Sequence, residues 1–333
     1  MRIAFIERNP SLESCWRAII LQGRNTASYK FALAKSLLDI QVNNTNIDKK
    51  DLAIPFAHNL ATRLKANPKQ TVGRNEGKFI SACKGFNAGE IDEDELQTIT
   101  AREGFKYVLD AFHTVARDEV PFRFFEAEKD SITLTDNFYN LLKSAQRQNL
   151  EFEVDARWRL WETAISLKIN PSHLIVENDS INEALFIKSS DKRRIEVTSS
   201  RDALSGYQKG KCFYCNTDIT IIQGLHNSCD VDHFFPESLK LPNINGVWNL
   251  VLACQKCNRW DKSDRVPNAS LIERLYNRNN FYVASHHPLK ETIINQTGSS
   301  EAERRNFIQH YYNMAVDIKI HIYNPTIVEE SLL

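Results

Sequence analysis

Through the first ~170 residues, apolar positions recur at helical spacing. Leu12, Cys15, Trp16, Ile19 and Ile20 share one face, with Ser11 placed to cap that helix and Gly23 to end it. A second helix is expected from Asn25 or Thr26, carrying Tyr29, Leu33, Leu37 and Ile40. A third repeats Leu52, Phe56, Leu60 and Leu64 at four-residue steps. Pro55 is expected in its first turn, where a missing amide is tolerated. From Asp92 a longer pattern runs through Leu96, Phe105, Val108, Leu109, Phe112 and Val115, with Gly104 as a bend or break. Pro121, Phe122, Phe124 and Phe125 read as a buried connector, because no regular basic residues interleave them as a base-stacking surface would require. Further helices are expected around 136–145 and 155–167, the last with Trp158, Trp161 and Ile165 as its apolar stripe.

At Asn170-Pro171 the period changes. HLIVEN, EALFIKS and RRIEVTS are short β-rich runs between polar turns. Ser200 then caps a helix that delivers the chain to Cys212, and helical patterns return at 269–277 and 300–317. His286 and His287 fall in an expected surface loop, and DIKIHIYNPTIVEE alternates like a terminal strand. The expected class is α+β. A helical N-terminal domain over 1–170 is followed by a β connector over 171–199 and a domain with a helical extension over 200–333. No internal repeat stands out.

Charge changes this picture little. Lys and Arg number 42 and Asp and Glu number 42, a formal net charge of +0, so a nucleic-acid surface has to come from local clusters. One cluster is Arg63, Lys65, Lys69, Arg74, Lys78 and Lys84, opposed only by Glu76. It reads either as a solvated surface or as a nucleic-acid contact, with Arg74 and Lys78 the residues to test. The acidic run Glu90, Asp92, Glu93, Asp94 and Glu95 reads as solvated surface or, more sharply, as a phosphate mimic. No run of ~18 apolar residues exists and MRIAFIERNP has no apolar leader segment, so neither a membrane span nor a secretory leader is expected.

The chemistry concentrates between Cys212 and Lys262. Cys212/Cys215 and Cys254/Cys257 are two Cys-x-x-Cys pairs, and four thiolates fill a tetrahedral zinc site with no open position. The gap between the pairs is longer than the ~15–20 residues of a zinc ribbon. It holds Asp232, His233 and Asn249, and Asn258 follows the last cysteine. The other cysteines, Cys15, Cys83 and Cys229, are scattered and odd in number, which favours a reducing, cytoplasmic compartment.

VDHFFPES, WNLVL and CQKCNRWDK, in that order, resemble the motif of the HNH endonuclease family, a ββα-metal fold. NRWDKSDRVP is also similar to the HNH domain of RNA-guided CRISPR nucleases, with Asn258 where many members have His. The resemblance implies a metal-dependent DNA endonuclease that leaves 5′-phosphate ends and, as a monomer, nicks one strand of duplex DNA. His233 has the basicity to take a proton from water near neutral pH. Asp232 and the Asn258 carbonyl suit a hard ion such as Mg²⁺ or Mn²⁺ that keeps several waters. The resemblance gives Asn249 the task of orienting His233 and shaping the loop. Lys262 and Arg259 are expected to contact phosphate. A weaker resemblance, carried by RNTASYKFALAKSLLDI ahead of such a domain, is to stand-alone bacterial HNH proteins of anti-phage systems, including the HNH component of Zorya-type defence. It implies an antiviral role and protein partners from such a system. An inactive zinc-stapled DNA-binding or scaffold module and an RNA nuclease remain alternatives, and the oligomeric state is left open.

Overall fold

The computed structural model describes residues 10–23, 25–40, 44–115, 117–170, 174–188, 194–287 and 289–325. They form two compact units, 10–169 and 170 onward.

In the first unit, helix α1 (Leu12–Arg17) runs into a π-helical turn at Ala18–Gln22, and the Ser11 side chain accepts the Ser14 amide at its start. Cys15, Trp16, Ile19 and Ile20 are all buried. Helix α2 (Tyr29–Asp39) begins later than the sequence suggests, because Ala27 first pairs with Thr71 in a β-bridge. Helix α3 (Lys49–Ala66) begins earlier, so Pro55 lies inside it rather than in its first turn. Helix α4 (Lys78–Ala88) and helix α5 (Glu93–Ile99) pack against α3. The acidic run has a structural use. Asp92 caps α5 by accepting the Glu95 amide, and Glu93, Asp94 and Glu95 occupy the first turn, where the helix dipole favours negative charge. A π-helical continuation of α5 ends at Gly104, where a Cβ would come 3.1 Å from the Phe56 ring and 3.4 Å from Phe79. Glycine is needed there because Phe56 stacks on both Phe79 and Phe105 with centroids 4.9 Å apart.

Helix α6 (Val108–Ala111) precedes a hairpin of β1 (Thr114–Val115) and β2 (Asp118–Glu119). The aromatic stretch after Pro121, expected as a buried connector, ends in a strand, β3 (Phe125–Ala127). It pairs with β4 (Ser131–Leu134), which also takes Asn46–Asp48 on its other edge. Phe124 and Phe125 are buried, with Phe124 edge-on to Trp16 at 5.2 Å. Helices α7 (Asp136–Leu142) and α8 (Arg147–Ser166) complete the unit. The buried Arg17 grips the Glu153 carboxylate of α8 at 2.8 and 2.9 Å, and Trp158 and Trp161 face the core.

The second unit opens with an antiparallel sheet of β5 (Glu177–Asp179), β6 (Ala184–Lys188) and β7 (Arg194–Ser199). Helix α9 (Ser200–Ser205), capped by Ser199, leads to Cys212. Strands β8 (Cys229–His233) and β9 (Leu250–Cys254) pair antiparallel, with His233 opposite Leu250 and Cys229 opposite Cys254. A short π-helical segment, Cys257–Lys262, follows at once, so a hairpin and a helix form one ββα unit. Three helices pack beside it: α10 (Ala269–Ala284), α11 (Lys290–Thr297) and α12 (Glu301–Ile318). Ser300 and Glu303 close a capping box at the start of α12. The terminal strand β11 (Ile322–Tyr323) runs parallel to β10 (Val266–Pro267). Helix α11 was not apparent in the sequence. His287 is a core residue rather than part of a surface loop. It is 1% exposed, its Nδ1 accepts the Leu289 amide, and its ring lies 4.2 Å from that of Tyr207.

Candidate active site and cysteine metal centre

Cys212, Cys215, Cys254 and Cys257 bring their sulfurs within 4.8 Å of one another. Tetrahedral Zn–S bonds of about 2.3 Å imply an S···S edge of about 3.8 Å. The Cys215 and Cys254 sulfurs are 3.7 Å apart. The donor set therefore fits zinc. Main-chain amides of Cys254 and Cys257 point at the sulfurs of Cys212 and Cys254, at 3.3 and 3.4 Å, which stabilises thiolate. Arg274, on α10, interacts with Cys212 and Cys215. Burial lowers its basicity to about 10, and the two sulfurs oppose that shift.

The cysteines join the two ends of the ββα unit, and the strand between them presents the polar chemistry. Asp230 and Asp232 alternate with Val231 along β8 and so share one face. Two residues of the helical segment dock there in the same order. Asn258 Nδ2 donates to Asp230 at 3.1 Å, and Lys262 Nζ donates to Asp232 at 2.9 Å. Asn258 and Lys262, four residues apart on the π-helical segment, thus meet the two alternate strand residues in register. Asp232 also accepts a 2.6 Å hydrogen bond from the buried Tyr214 hydroxyl, inside the first cysteine knuckle.

His233 ends the strand. Its Nε2 is buried with no hydrogen-bond partner, and the Asn245 side chain is close enough to the imidazole to favour its protonated form. Burial lowers the His233 pKa, against the raising effects of Glu237, Asp232 and Asn245; Lys262 adds to the lowering. Burial thus favours the neutral ring, and its Nε2 has no partner.

Asn249 is fully buried and acts on the loop. Its Oδ1 accepts the Phe235 amide at 2.9 Å, and its Nδ2 donates to the carbonyls of Phe235 and Ile244 at 3.0 and 2.8 Å. These bonds tie the chain just after His233 to the loop at Ile244, and Asn245, the next residue, lies near the His233 ring. The Asn249 segment is fixed in turn by the wholly buried Arg278, whose Nη2 donates to the Trp248 carbonyl at 2.8 Å and whose Nη1 donates to that of Leu250.

Two expected phosphate contacts are placed differently. Lys262 is 1% exposed, and its ammonium is spent on Asp232 and on the His233 carbonyl at 2.8 Å, so it does not face a substrate here. Arg259 is half-exposed but binds Asp230 through two nitrogens at 2.9 Å. In the first unit, Arg63 leaves the basic cluster altogether, reaching Asp155 at 2.5 Å and covering the Trp158 ring at 4.8 Å. Lys69, Arg74 and Lys84 line one open cavity of about 340 Å³ together with Glu76, which pairs with Lys84 at 2.5 Å. Lys78 is exposed, with Glu103 4.0 Å away.

Asp230, Tyr214, Asn245 and Arg278 were missed in the sequence. Only Asp230 left a signal there, as the first acid of an Asp-Val-Asp alternation on a strand. The other three act through contacts between distant segments.

Residues 212–268 match the HNH endonuclease family model. No curated protein and no solved structure matches the chain. The matched segment spans all four cysteines, both β strands and the helical segment. Among the described residues, no helix is long and apolar enough to cross a membrane.

Proposed function

We propose, starting from an HNH endonuclease domain at residues 212–268, that this chain hydrolyses DNA phosphodiester bonds with a divalent metal and nicks one strand at a time. The observation that carries the reading is the buried, unpartnered Nε2 of His233 beside Asp232. A buried polar atom without a partner is costly, and native structures keep few of them. Here the atom is a neutral imidazole nitrogen, which is what a general base for water requires. Asn245 lies near the ring, and Asn249 and Arg278 hold the loop from which Asn245 extends.

Asp232 and the Asn258 side-chain oxygen would hold the catalytic ion. Asn258 already donates its amide to Asp230, which leaves Oδ1 as its free donor atom. Such an ion, when bound, polarises the phosphoryl oxygen and stabilises the leaving alkoxide. Arg74 and Lys78 are proposed to contact the DNA backbone, in line with their exposure. A role in anti-phage defence, with partners from that system, rests on the resemblance of residues 24–40 alone.

One observation favours the inactive-module reading. The Lys262 ammonium sits on the carboxylate that a metal would need. Incubating supercoiled plasmid with the zinc-loaded chain and Mg²⁺ or Mn²⁺, beside an RNA substrate, separates the readings. Open-circle product supports the proposal, cleavage of RNA alone replaces it with a ribonuclease, and no cleavage of either leaves the inactive module.

A further inference from the structure

Asp230, which accepts from Asn258, also lines a cavity of about 490 Å³. That volume falls in the range of about 300–1,000 Å³ typical of small-ligand sites. Its walls come from two parts of the second unit. Gln223, Gln255 and Arg259 belong to the family-matched segment, whereas Asn182 and Arg201 belong to the sheet and helix that precede it. Asp230 is the shared wall: one of its oxygens accepts from both Asn258 and Arg259, and the other accepts from Arg259 as well. The cavity is therefore linked to the candidate active site through the Asp230–Asn258 hydrogen bond.

The charges of this cavity cancel in pairs. Arg259 is bidentate on Asp230, and Arg201 Nη2 donates to Glu183. A bare anion would have to compete with both carboxylates. What remains is hydrogen-bonding capacity without net charge: three carboxamides, beside the Glu183-paired Arg201, which is 7% exposed and whose buried Nε has no partner. The Gln255 amide is steadied by Ser228 at 3.0 Å. The rim is rigid as well. Asp179 accepts the main-chain amides of Ile181 and Asn182 at 3.0 and 3.2 Å and the Asn182 side chain at 2.9 Å. That turn leaves Ile181 92% exposed at the cavity edge.

Carboxamides and guanidinium groups are the side chains that read the donor and acceptor edges of nucleobases. An exposed aliphatic side chain suits the flat apolar face of a ring. We infer that this cavity receives the nucleobase next to the scissile phosphate and gives the enzyme a base preference at that position. The identity of the ligand rests on the nuclease reading.

The test uses the zinc-loaded full chain. Adenosine, guanosine, cytidine and thymidine are offered singly in saturation-transfer NMR, with inorganic phosphate as competitor. At least one nucleoside should bind, and phosphate should not displace it. Gln223→Ala with Gln255→Ala should weaken binding at least about fivefold, as expected for two lost hydrogen bonds. Asn182→Ala, at an exposed position, provides a second variant should the pair disturb the zinc knuckle, whose metal content is measured alongside. No nucleoside binding, displacement by phosphate, or binding indifferent to both variants would overturn the inference. Nucleoside binding without plasmid nicking by the wild-type chain would keep the cavity and remove the nuclease, and nicking without nucleoside binding would do the reverse.

Discussion

Asp232 shows how one side chain acquires its surroundings from three directions. It alternates with Asp230 on a strand, receives the Tyr214 hydroxyl from the cysteine knuckle, and pairs with Lys262 from the helical segment. Both members of the ion pair are buried. Removing one partner of such a pair strands a charge, which typically costs roughly 3–5 kcal/mol. Lys262→Met should therefore lower the unfolding free energy of the second unit by that order in urea titrations. Adding Asp232→Asn should recover more than half of the loss, because no charge is left stranded. If the double variant is as unstable as the single one, Lys262 acts through packing instead. Asp232, His233, Asn249 and Asn258 were legible as a motif in order. Their division of labour was not, because Asn245 and Tyr214 reach the site through turns whose geometry no local pattern specifies.

At the level of elements, periodicity gave most helices, and boundaries moved where a tertiary contact intervened. The bridge of Ala27 to Thr71 delays α2, and the Phe56 stack decides why residue 104 is glycine. The strand at Phe125–Ala127 was hidden because the consecutive Phe124 and Phe125 are both buried, which erases alternation. Helix α10 contributes Arg278, fully buried and bonded to the carbonyls of Trp248 and Leu250. Arg278→Met keeps the volume but orphans those carbonyls, at about 1–3 kcal/mol for each group left without a partner. Thermal unfolding should fall, and nicking should fall with it as the Asn249 loop loosens. Unchanged melting would show that the loop is held from elsewhere. In the first unit, the His113 Nε2 accepts the Phe124 amide, and burial, with Arg123 and Lys30, lowers its pKa to about 3. The unfolded chain takes up this proton below pH about 6.5, and the folded one only near pH about 3. Stability from this group is complete above about 6.5 and declines as pH falls between those values. Between pH 7 and pH 5 the loss should be about 2 kcal/mol. His113→Gln should flatten that slope, and an equally steep slope in the variant would assign it to other groups.

Across the molecule, the account requires two metal sites of different character. The four thiolates form a closed shell for a borderline-soft ion, whereas Asp232 and Asn258 offer two oxygens to a hard ion that keeps its waters. Metal analysis should find one zinc per chain, and any one Cys→Ser change among the four should unfold the second unit. Brief EDTA treatment should stop cleavage while the fold and the zinc persist, and Mg²⁺ or Mn²⁺ should restore it. Loss of the fold on the same time scale would mean that one metal serves both purposes. The net charge of +0 leaves DNA affinity to local surfaces such as that of Arg74 and Lys78. The central claim is that His233 supplies the base. It is tested most directly by nicking of supercoiled plasmid in Mg²⁺ by the wild-type chain and by His233→Ala, with zinc content and DNA binding measured on both. The account predicts open-circle product from the wild type, none from the variant, and equal zinc and near-equal binding in the two. Nicking by His233→Ala at the wild-type rate would contradict it.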